Sequence, residues 1–482
     1  MDKRKKIVIL GAGPAGLSAA WKLSLANVDV EIIEAESQVG GQCRTIRYKE
    51  YHFDLGGHRF ITQNTELAKE IYNLMSDEFI DRPRKSSIRL KGKYFNYPLD
   101  GKDLLKNLNI TLSIKCFGNY LFTALKNKFF PKPDNSFEDW VVNRFGRSLY
   151  NLYFGPYSAK LWGIEPTKIS ADWAAQRISL LNLWDVFLRL LGKKKNMPKT
   201  YATKFYYPEK GIGRIPERMA EVIEEKGGKI HLNSKVKTII TNGNKIDSIV
   251  YENDGKDKKI SGDYIVSTIP LPDLVKIISP EIGTAYREAA SFLTFRALKF
   301  LNITLNKNSF SDNTWIYIPE EQYIFMRIQE PKNWSQDSAP EGKTSIILEI
   351  ACNVGDNIWN APDKEIYERC IEDLKKLGFA DIKEKTIDYF TTLIEHAYPI
   401  YTLNYKKLLR KVFAIVNPFE NLICCGRQGL FRYNNMDHSI EMGLLTAEHI
   451  LFGLPREEIY KIADEDEIFE HDGKQAKLAG IE

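Results

Sequence analysis

The start of the chain combines short apolar runs with a segment of helical periodicity. Residues 7–10 are wholly apolar, which is typical of a strand buried on both faces of a sheet. Apolar residues recur at helical spacing from Leu17 onward, and Val28–Ile33 forms a second apolar run. These patterns predict a strand, a helix and a second strand, in the order of a parallel β-α-β unit.

Three glycines connect the first strand to the helix in a Gly-x-Gly-x-x-Gly pattern. Gly11 permits a tight turn, Gly13 lets the backbone approach a pyrophosphate, and Gly16 lets helix and strand pack closely. The unpaired N–H groups at the helix N-terminus attract phosphates. Glu34 stands 18 residues after Gly16, where its carboxylate can accept hydrogen bonds from a ribose diol. The sequence therefore predicts a bound dinucleotide.

A second group of glycines indicates which dinucleotide is bound. The segments Gly40-Gly41-Gln-Cys-Arg44 and Asp54-Leu-Gly56-Gly57-His58 resemble the FAD-binding signature of the amine oxidase and protoporphyrinogen oxidase superfamily. An NAD-binding site has no need of this second cluster. Glycines suit close approach of the backbone to a flat ring system, and Arg44 offers a rigid fork of donors. The resemblance implies FAD, with Gly41, Arg44 and Gly57 beside it.

Two later segments have the pattern of buried strands and suit the same nucleotide-binding domain. The first segment contains Val236, where the superfamily places a backbone contact to adenine, and the second is Leu422–Arg427, followed by a helix over His438–Leu451. We predict an α/β protein with a Rossmann-type FAD-binding domain, an inserted helical bundle and an antiparallel-sheet substrate domain. The predicted boundaries are 1–84 with 206–284 and 413–455 for the discontinuous FAD-binding domain, 85–205 for the helical insertion, 285–412 for the substrate-binding sheet domain and 456–482 for a peripheral tail.

Periodicity within the two insertions predicts their elements. Helical patterns cover 104–130 and 171–191 in the first insertion. In the second, the pattern predicts strands at 297–305, 313–318, 323–328 and 344–352 and a helix at 363–377. The segment 178–195 is amphipathic with a basic end, which favours packing in a bundle and leaves peripheral contact with a membrane open.

Composition excludes several classes of protein. The 482 residues carry a net charge of +5 with both signs evenly spread, unlike the basic face of a nucleic-acid-binding protein. The six cysteines form no Cys-x-x-Cys pair, so we expect no metal site and no disulfide framework. No apolar stretch reaches the roughly 18 residues of a transmembrane span, and the N-terminal apolar run is too short for a signal peptide. We expect a cytoplasmic protein.

Ordered motifs in the middle and late chain resemble UDP-galactopyranose mutases, flavoenzymes of the same superfamily. The motifs are Asp54-Leu-Gly-Gly-His58, Tyr157-Ser-Ala-Lys-Leu-Trp162, Asp172–Arg177, Trp315-Ile-Tyr317, Phe325-Met-Arg327, Ser345–Glu349, His396-Ala-Tyr398, Gly426–Tyr433 and Met436-Asp437. The resemblance covers nearly the whole chain up to about residue 455.

This resemblance implies a role for individual residues. Arg177 and Arg327 would grip the diphosphate of a sugar nucleotide, and His58 would approach the reactive ring of the flavin, which makes these three the candidate catalytic residues. The implied flavin contacts in the late chain are Arg427, Met436 and Asp437. The implied substrate-binding residues are Trp162, Trp315, Tyr317, Tyr398 and Tyr433. Two guanidinium forks suit a diphosphate that gains charge as it leaves.

In that family, reduced FAD attacks the anomeric carbon through N5, UDP leaves, and the sugar ring opens and recloses without net oxidation. The resemblance therefore implies an FAD-dependent sugar-nucleotide mutase with a role in cell-surface polysaccharide synthesis, kept active by an unidentified reductant. An oxidoreductase of the amine oxidase or protoporphyrinogen oxidase type stays open as the alternative, and so does a flavoprotein scaffold without turnover. A homo-oligomer is also left open.

Overall fold

A computed structural model describes residues 4–83, 85–97, 107, 109–178, 204–280 and 283–463. The side chains of Ile110, Arg177 and Lys204 lie outside this description. The predicted amphipathic segment after Ile178 and the predicted tail after residue 463 also lie outside the described residues.

The described strands and helices are numbered here in chain order. The strands are β1 (Lys6–Leu10), β2 (Asp29–Ile33), β3 (Thr45–Tyr48), β4 (Tyr51–Asp54), β5 (Phe79–Pro83), β6 (Ser86–Leu90), β7 (Lys93–Tyr97), β8 (Lys204–Pro208), β9 (Lys229–His231), β10 (Ser234–Asn242), β11 (Lys245–Asn253), β12 (Lys256–Ile260), β13 (Tyr264–Ser267), β14 (Ile278–Ser279), β15 (Phe295–Leu305), β16 (Trp315–Tyr317), β17 (Arg327–Gln329), β18 (Thr344–Cys352), β19 (Thr386–Pro399) and β20 (Leu422–Cys424). The helices are α1 (Pro14–Leu25), α2 (Thr65–Met75), α3 (Ile110–Phe129), α4 (Phe137–Leu149), α5 (Gly155–Trp162), α6 (Ala171–Arg177), α7 (Arg214–Glu225), α8 (Leu271–Lys276), α9 (Thr284–Ser291), α10 (Asn357–Asn360), α11 (Asp363–Lys376), α12 (Ile382–Lys385), α13 (Tyr405–Val416), α14 (Gly426–Gly429), α15 (Met436–Phe452) and α16 (Arg456–Lys461).

A five-stranded parallel sheet forms the nucleotide-binding layer, with the order β20-β13-β1-β2-β9. Residues 7–10 of β1 are fully buried, which explains their unbroken apolar run. Helix α1 packs against α7 and α15 on this sheet. The predicted α/β architecture with a Rossmann-type sheet is confirmed. A smaller four-stranded sheet has the order β12-β11-β10-β14.

A seven-stranded sheet forms the second layer, in the order β19-β15-β18-β17-β16-β6-β7. Every pairing is antiparallel except β16 with β6. Strand β18 spans the predicted residues and is buried along its whole length. Helix α11 packs its apolar face against the sheet, where Ile366, Cys370 and Leu374 contact the buried residues of β15 and β18.

Two strands of this sheet come from the region predicted as helical. Residues 86–97 form the β6–β7 hairpin, which corrects the helical prediction for the start of 85–205. The reason is burial of Ile88, Leu90 and Phe95 in one small cluster, a contact that local periodicity does not reveal. Strand β19 is a second element that the sequence pattern missed, because its mostly half-buried residues lack a clear period. The domain boundaries themselves stay a prediction.

Helices α3 to α6 form the helical layer next to the seven-stranded sheet. Helix α3 packs on α4, and α4 packs on α6. Gly146, with φ +80°, kinks α4 before a π-helical turn at Tyr150–Phe154 that leads into α5. None of the helices in the described ranges has both the length and the hydropathy of a transmembrane segment.

Candidate active site

A cleft of about 620 Å³ opens where the parallel strands β1 and β2 end. Ligands of open α/β sheets bind at this edge. Of the residues predicted to bind cofactor or flavin, the cleft is lined by Gly11, Gly13, Glu34, Gly41, Arg44, His58, Val236, Arg427 and Met436. Gly16, Gly57 and Asp437 are not part of this lining.

The glycines of the first turn stand where side chains have no room. Gly11 has φ +100°, and a Cβ there would lie 2.4 Å from Oγ1 of Thr268. A Cβ on Gly16 would lie 2.1 Å from the carbonyl oxygen of Gly11, so helix α1 sits directly on the turn. Both distances are far below van der Waals contact, which makes glycine a requirement of this β1–α1 junction.

Gly13 and Gly41 bring two backbone segments together at the floor of the cleft. A Cβ on Gly41 would lie 3.1 Å from Cα of Gly13, and Gly41 itself has φ +53°. With side chains absent on both segments, a ligand can lie directly against the backbone and the N-terminus of α1.

Glu34 and Arg44 are held beside these glycines by local hydrogen bonds. The carboxylate of Glu34 accepts from the backbone N–H of Ala12 at 2.6 Å and from that of Glu36 at 2.8 Å. Burial raises the pKa of Glu34, although these two N–H groups act in the opposite direction. Arg44 donates from Nη1 to the carbonyl oxygen of Gly41 at 2.9 Å, so its guanidinium lies along the cleft wall.

Side chains of the seven-stranded sheet form a second wall of the site, next to His58 and Arg427 at the border of the cleft. Arg327 pairs through Nε with Oε2 of Glu349 at 3.3 Å, and Glu349 is fully buried. The guanidinium carbon also lies 5.5 Å from the ring centroid of Tyr317. Burial, the largest single influence, would lower the pKa of Arg327, but the Glu349 carboxylate and the hydroxyls of Tyr317, Tyr398 and Tyr157 together outweigh it and hold that pKa well above its usual value. Burial raises the pKa of Glu349, and Arg327 opposes that rise.

Three aromatic rings gather around this ion pair. The ring centroids of Tyr398 and Tyr433 are 5.2 Å apart, and Trp162 meets them edge-on at 6.1 and 6.2 Å. The hydroxyl of Tyr398 donates to Oε1 of Glu349 at 3.3 Å. Residues from β17, β18 and β19, the last residue of α5 and the segment after α14 therefore meet in one enclosure.

Arg427 lies between the aromatic enclosure and the glycine side of the cleft. Its guanidinium carbon is 5.2 Å from the ring centroid of Tyr433 and 5.8 Å from that of Tyr398. Nη1 donates to Oε1 of Gln42 at 3.2 Å, and Nη2 donates to the carbonyl oxygen of Asn434. These bonds fix the cation where the two walls meet.

His58 also stands at the meeting of the two walls. Burial, with the nearby guanidinium groups of Arg427, Arg327 and Arg59, lowers the pKa of His58 to about 3. The imidazole is therefore neutral at physiological pH. Its Nδ1 is buried and has no hydrogen-bond partner among the described residues.

The structure does not bring every predicted site residue into this group. Trp315 is 2% exposed and stacks on Trp334 at 5.2 Å, behind Tyr317. Asp437 is buried in the first turn of α15. Arg177 ends α6, and its side chain lies outside the described residues. The predicted roles of the site residues stay predictions.

Two residues at the site received no role from the sequence. Lys160 donates from Nζ to the carbonyl oxygens of Ile318, Glu320 and Phe325 at 3.0, 2.9 and 2.7 Å. It thereby clamps the loop between β16 and β17. Gln42, beside Gly41, accepts from Arg427 as described above. Lys160 lies in the Tyr157–Trp162 motif, and Gln42 lies in the Gly40–Arg44 motif. Their partners could not be predicted, because hydrogen bonds to a distant backbone leave no pattern in the sequence. No cluster of three metal-ligating side chains occurs in the ranges that the structure describes.

The cleft fits the predicted FAD on its own geometry. Glycines at 11, 13 and 41 leave a cradle that any Cβ would fill, and the N-terminus of α1 opens onto it. Glu34 at the end of β2 has acceptor oxygens at the position for a ribose diol. Val236 lines the same cleft farther along, and His58 and Met436 line it toward the aromatic enclosure. An extended dinucleotide with a flat ring system suits this arrangement.

Known proteins of similar sequence include redox enzymes and a mutase. The chain is 24% identical to the 4,4'-diapophytoene desaturase (4,4'-diapolycopene-forming) of Methylomonas sp, over 88% of this chain and 90% of the desaturase. It is 26% identical to the dTDP-fucopyranose mutase of Escherichia coli, over 35% of this chain and 44% of the mutase.

Solved structures share the fold at low identity. Reduced UDP-galactopyranose mutase matches with a TM-score of 0.81 at 21% identity, covering 96% of this chain and 97% of that chain. A putative protoporphyrinogen oxidase from Exiguobacterium sp. 255-15 matches with a TM-score of 0.71 at 16% identity, covering 93% of this chain and 99% of that chain.

The family comparison extends over most of the chain. The pattern of the flavin containing amine oxidoreductases matches residues 14–451 of the 482. The matched range includes helix α1, the seven-stranded sheet, every strand of the parallel sheet except β1, and helix α15 up to Leu451. The chain therefore belongs to the flavin containing amine oxidoreductase family, and its cofactor is FAD.

Proposed function

We propose that this protein is an FAD-dependent sugar-nucleotide mutase that works with the reduced cofactor. The observation that carries the proposal is that Arg327, Tyr398 and Tyr433 gather in one cluster next to His58 and Arg427. This combination of a fixed cation with phenolic hydroxyls suits the diphosphate of a sugar nucleotide.

The orientation of Arg327 supports binding of a diphosphate. The nitrogen of Arg327 that pairs with Glu349 is Nε, at 3.3 Å. A Cβ on Gly57 would lie 3.2 Å from Nη1 of Arg327, which brings the Nη end of the guanidinium against the turn beside His58. Both Nη groups on one edge of the guanidinium can donate to phosphate oxygens in a fork. The buried Glu349 keeps Arg327 charged and in place before the substrate arrives.

The two tyrosines and Trp162 would shield the reacting sugar from water. Their rings pack against one another beside Arg327, and Trp162 is 1% exposed. In a water-excluded site, a guanidinium stabilises the developing negative charge of a leaving diphosphate more strongly than it would at the surface. His58, neutral and with Nδ1 free of protein partners among the described residues, can exchange a hydrogen bond at that atom.

The cofactor would supply the nucleophile: reduced FAD carries an electron pair at N5 that can displace a nucleotide from an anomeric carbon. The chain's own contribution is to hold the diphosphate as it leaves and to keep the sugar near the flavin until it is recaptured. Likeness to dTDP-fucopyranose mutase in sequence and to UDP-galactopyranose mutase in fold supports this assignment.

The test compares reduced and oxidised holoenzyme on two sugar nucleotides. Dithionite-reduced enzyme is incubated anaerobically with UDP-galactopyranose or dTDP-fucopyranose, and products are separated by chromatography. We expect a furanose product only with reduced enzyme, and no product from Arg327→Met. Absence of binding and of turnover with both nucleotides would reject the proposal.

A second candidate is an FAD-dependent oxidoreductase, favoured by the full-length likeness to the diapophytoene desaturase. The aromatic side chains of the enclosure also suit an apolar substrate. This candidate predicts that a substrate reduces the bound flavin under anaerobic conditions and that hydrogen peroxide or another reduced acceptor forms on turnover. A mutase instead regenerates reduced flavin in each cycle and consumes no acceptor.

A further inference from the structure

Helix α3, which contributes no residue to the cleft lining, carries a stripe of exposed apolar side chains. The stripe consists of Ile114, Phe122, Leu125 and Phe129, each between 62% and 70% exposed. Phe130, 71% exposed, continues it past the end of the helix. Large contiguous apolar patches are uncommon on the surface of a soluble protein and mark interaction sites.

The opposite face of α3 is fixed to the rest of the molecule. Cys116 is 5% exposed, Oδ1 of Asn119 accepts from the backbone N–H of Ser148 at 2.9 Å, and Nδ2 of Asn127 donates to the carbonyl oxygen of Asn143 at 2.5 Å. These contacts anchor the helix on α4 and its continuation. Because the opposite face packs on the protein, the stripe faces outward, and no residue in the described part of the chain covers it.

Lysines border the stripe on both sides. At 3.6 residues per turn, its four side chains occupy about 80° of the helix circumference. Lys115 and Lys126 then fall on one flank and Lys128 on the other, and all three are exposed. The sequence from 110 to 132 contains no Asp or Glu. The outer face of α3 is therefore apolar along its centre, with lysines and no carboxylates of the helix itself along its edges.

This charge pattern selects among the surfaces that could cover the stripe. Two copies of α3 packed about a two-fold axis would bring the lysines of both copies together without an acidic partner on either helix. A bilayer with anionic headgroups accepts phenylalanine and leucine at the acyl boundary and lysine at the phosphates. We propose that α3 docks this protein on anionic phospholipid membranes, with the stripe inserted and the lysines at the headgroups.

The experiment uses the FAD-loaded full-length protein and extruded vesicles. One set contains phosphatidylcholine with about 30% phosphatidylglycerol, and the other contains phosphatidylcholine alone. Flotation on a density gradient measures the bound fraction. We expect binding to the anionic vesicles only, and we expect it to weaken as NaCl is raised from about 0.05 to 0.5 M.

Two variants and one matched control separate the contributions. Phe122→Ser with Phe129→Ser removes the inserted side chains, and Lys115→Gln with Lys126→Gln and Lys128→Gln removes the charges. Each lysine near an anionic surface contributes roughly fivefold to binding, so the charge variant should bind about a hundredfold more weakly. Phe452→Ser changes a phenylalanine that is 78% exposed at the end of α15, and it should bind like the parent protein.

Three outcomes would overturn the proposal. The first is no flotation with anionic vesicles, and the second is equal flotation of parent and both variants. The third is a change in thermal stability or oligomeric state, without vesicles, when the stripe residues are replaced. If Phe122→Ser with Phe129→Ser lowers the melting temperature, the stripe packs against the chain itself. If it converts a dimer to a monomer by light scattering, a second copy covers it.

Discussion

The two walls of the cleft are built in different ways. The glycine wall is shaped by backbone: a side chain at position 11, 16 or 41 would collide with neighbouring atoms. The sheet wall is shaped by side chains, with the Arg327–Glu349 pair and the tyrosines on separate strands. Backbone geometry tolerates few substitutions and serves one ligand, whereas a side-chain wall can be exchanged to serve different reactions. The cofactor-binding half of the site is therefore more narrowly determined by the structure than the substrate-binding half.

The strongest test of the glycine wall is Gly16→Ala. The added methyl would meet the carbonyl oxygen of Gly11 at 2.1 Å, so α1 must move away from β1. We expect loss of bound FAD and a lower melting temperature, measured by flavin absorbance per protein and by thermal unfolding. Gly118→Ala is the control, because a Cβ there meets nothing within 4 Å and alanine favours a helix by about 1 kcal/mol. Full flavin content in Gly16→Ala would show that the junction of β1 and α1 tolerates a side chain at this position.

A defect in the sheet wall should leave the glycine wall and its FAD intact. Arg327→Met leaves the carboxylate of Glu349 buried and unpaired, which should cost about 3–5 kcal/mol of unfolding free energy. Binding of a sugar nucleotide should weaken by about 30-fold or more, while the FAD content stays unchanged. Adding Glu349→Gln should restore much of the stability but none of the binding. Calorimetric titration and urea unfolding measure the two effects, and loss of FAD from Arg327→Met would show that the walls are coupled.

Lys160→Met tests how the sheet wall is positioned. Removing the ammonium leaves three loop carbonyls without their donor, at a cost of about 2–4 kcal/mol. Because the loop joins the strands of Tyr317 and Arg327, we expect a several-fold rise in KM with a smaller change in kcat. Lys299→Met is a matched control: its Nζ also donates to three carbonyl oxygens, those of residues 358, 359 and 361, on the part of the sheet under α10 and α11. The control should lose similar stability with an unchanged KM, and equal KM values in both variants would refute a positioning role.

The smallest effect concerns His58 and pH. Its pKa is about 3 in the folded protein and near 6.5 when unfolded, so the unfolded chain binds the extra proton between these values. The free energy of unfolding should therefore fall as pH is lowered below 6.5, by at most about 1.4 kcal/mol per pH unit. Asp54, whose pKa burial raises to about 6, contributes with the opposite sign below pH 6.

The comparison of His58→Asn with the parent protein isolates the histidine, since both retain Asp54. Urea unfolding with excess FAD at several values between about pH 5 and pH 7.5 measures the difference. The variant should lose part of the pH slope, and identical slopes would mean that His58 is not held neutral by its surroundings.

The glycine wall could be predicted from the sequence because its constraints are local. Gly11, Gly13 and Gly16 act within one turn, and Glu34 follows at the end of the next strand, so a short window contains the information. The parallel sheet followed from the same window. The ordered motifs also brought Arg327, Tyr398 and Tyr433 together as one set, although their roles are still predictions.

The rest depended on contacts between distant segments. Lys160 lies 158 to 165 residues from its three acceptors, and those acceptors are backbone atoms that no side-chain pattern marks. Gln42 and Arg427 are separated by 385 residues. The β6–β7 hairpin was assigned to the helical insertion because its pairing with β16 is decided by tertiary packing and not by propensity.

That pairing of β6 with β16 has a consequence for synthesis of the protein. Ser86 must wait for Trp315 to leave the ribosome before the two strands can meet, and the parallel sheet is closed only by Leu422–Cys424. At 5–20 residues per second, the 229 residues between the first pair take about 10–50 s to translate. During this interval the early hairpin exposes an open strand edge. We therefore expect nascent chains to need chaperones that prevent aggregation through this edge.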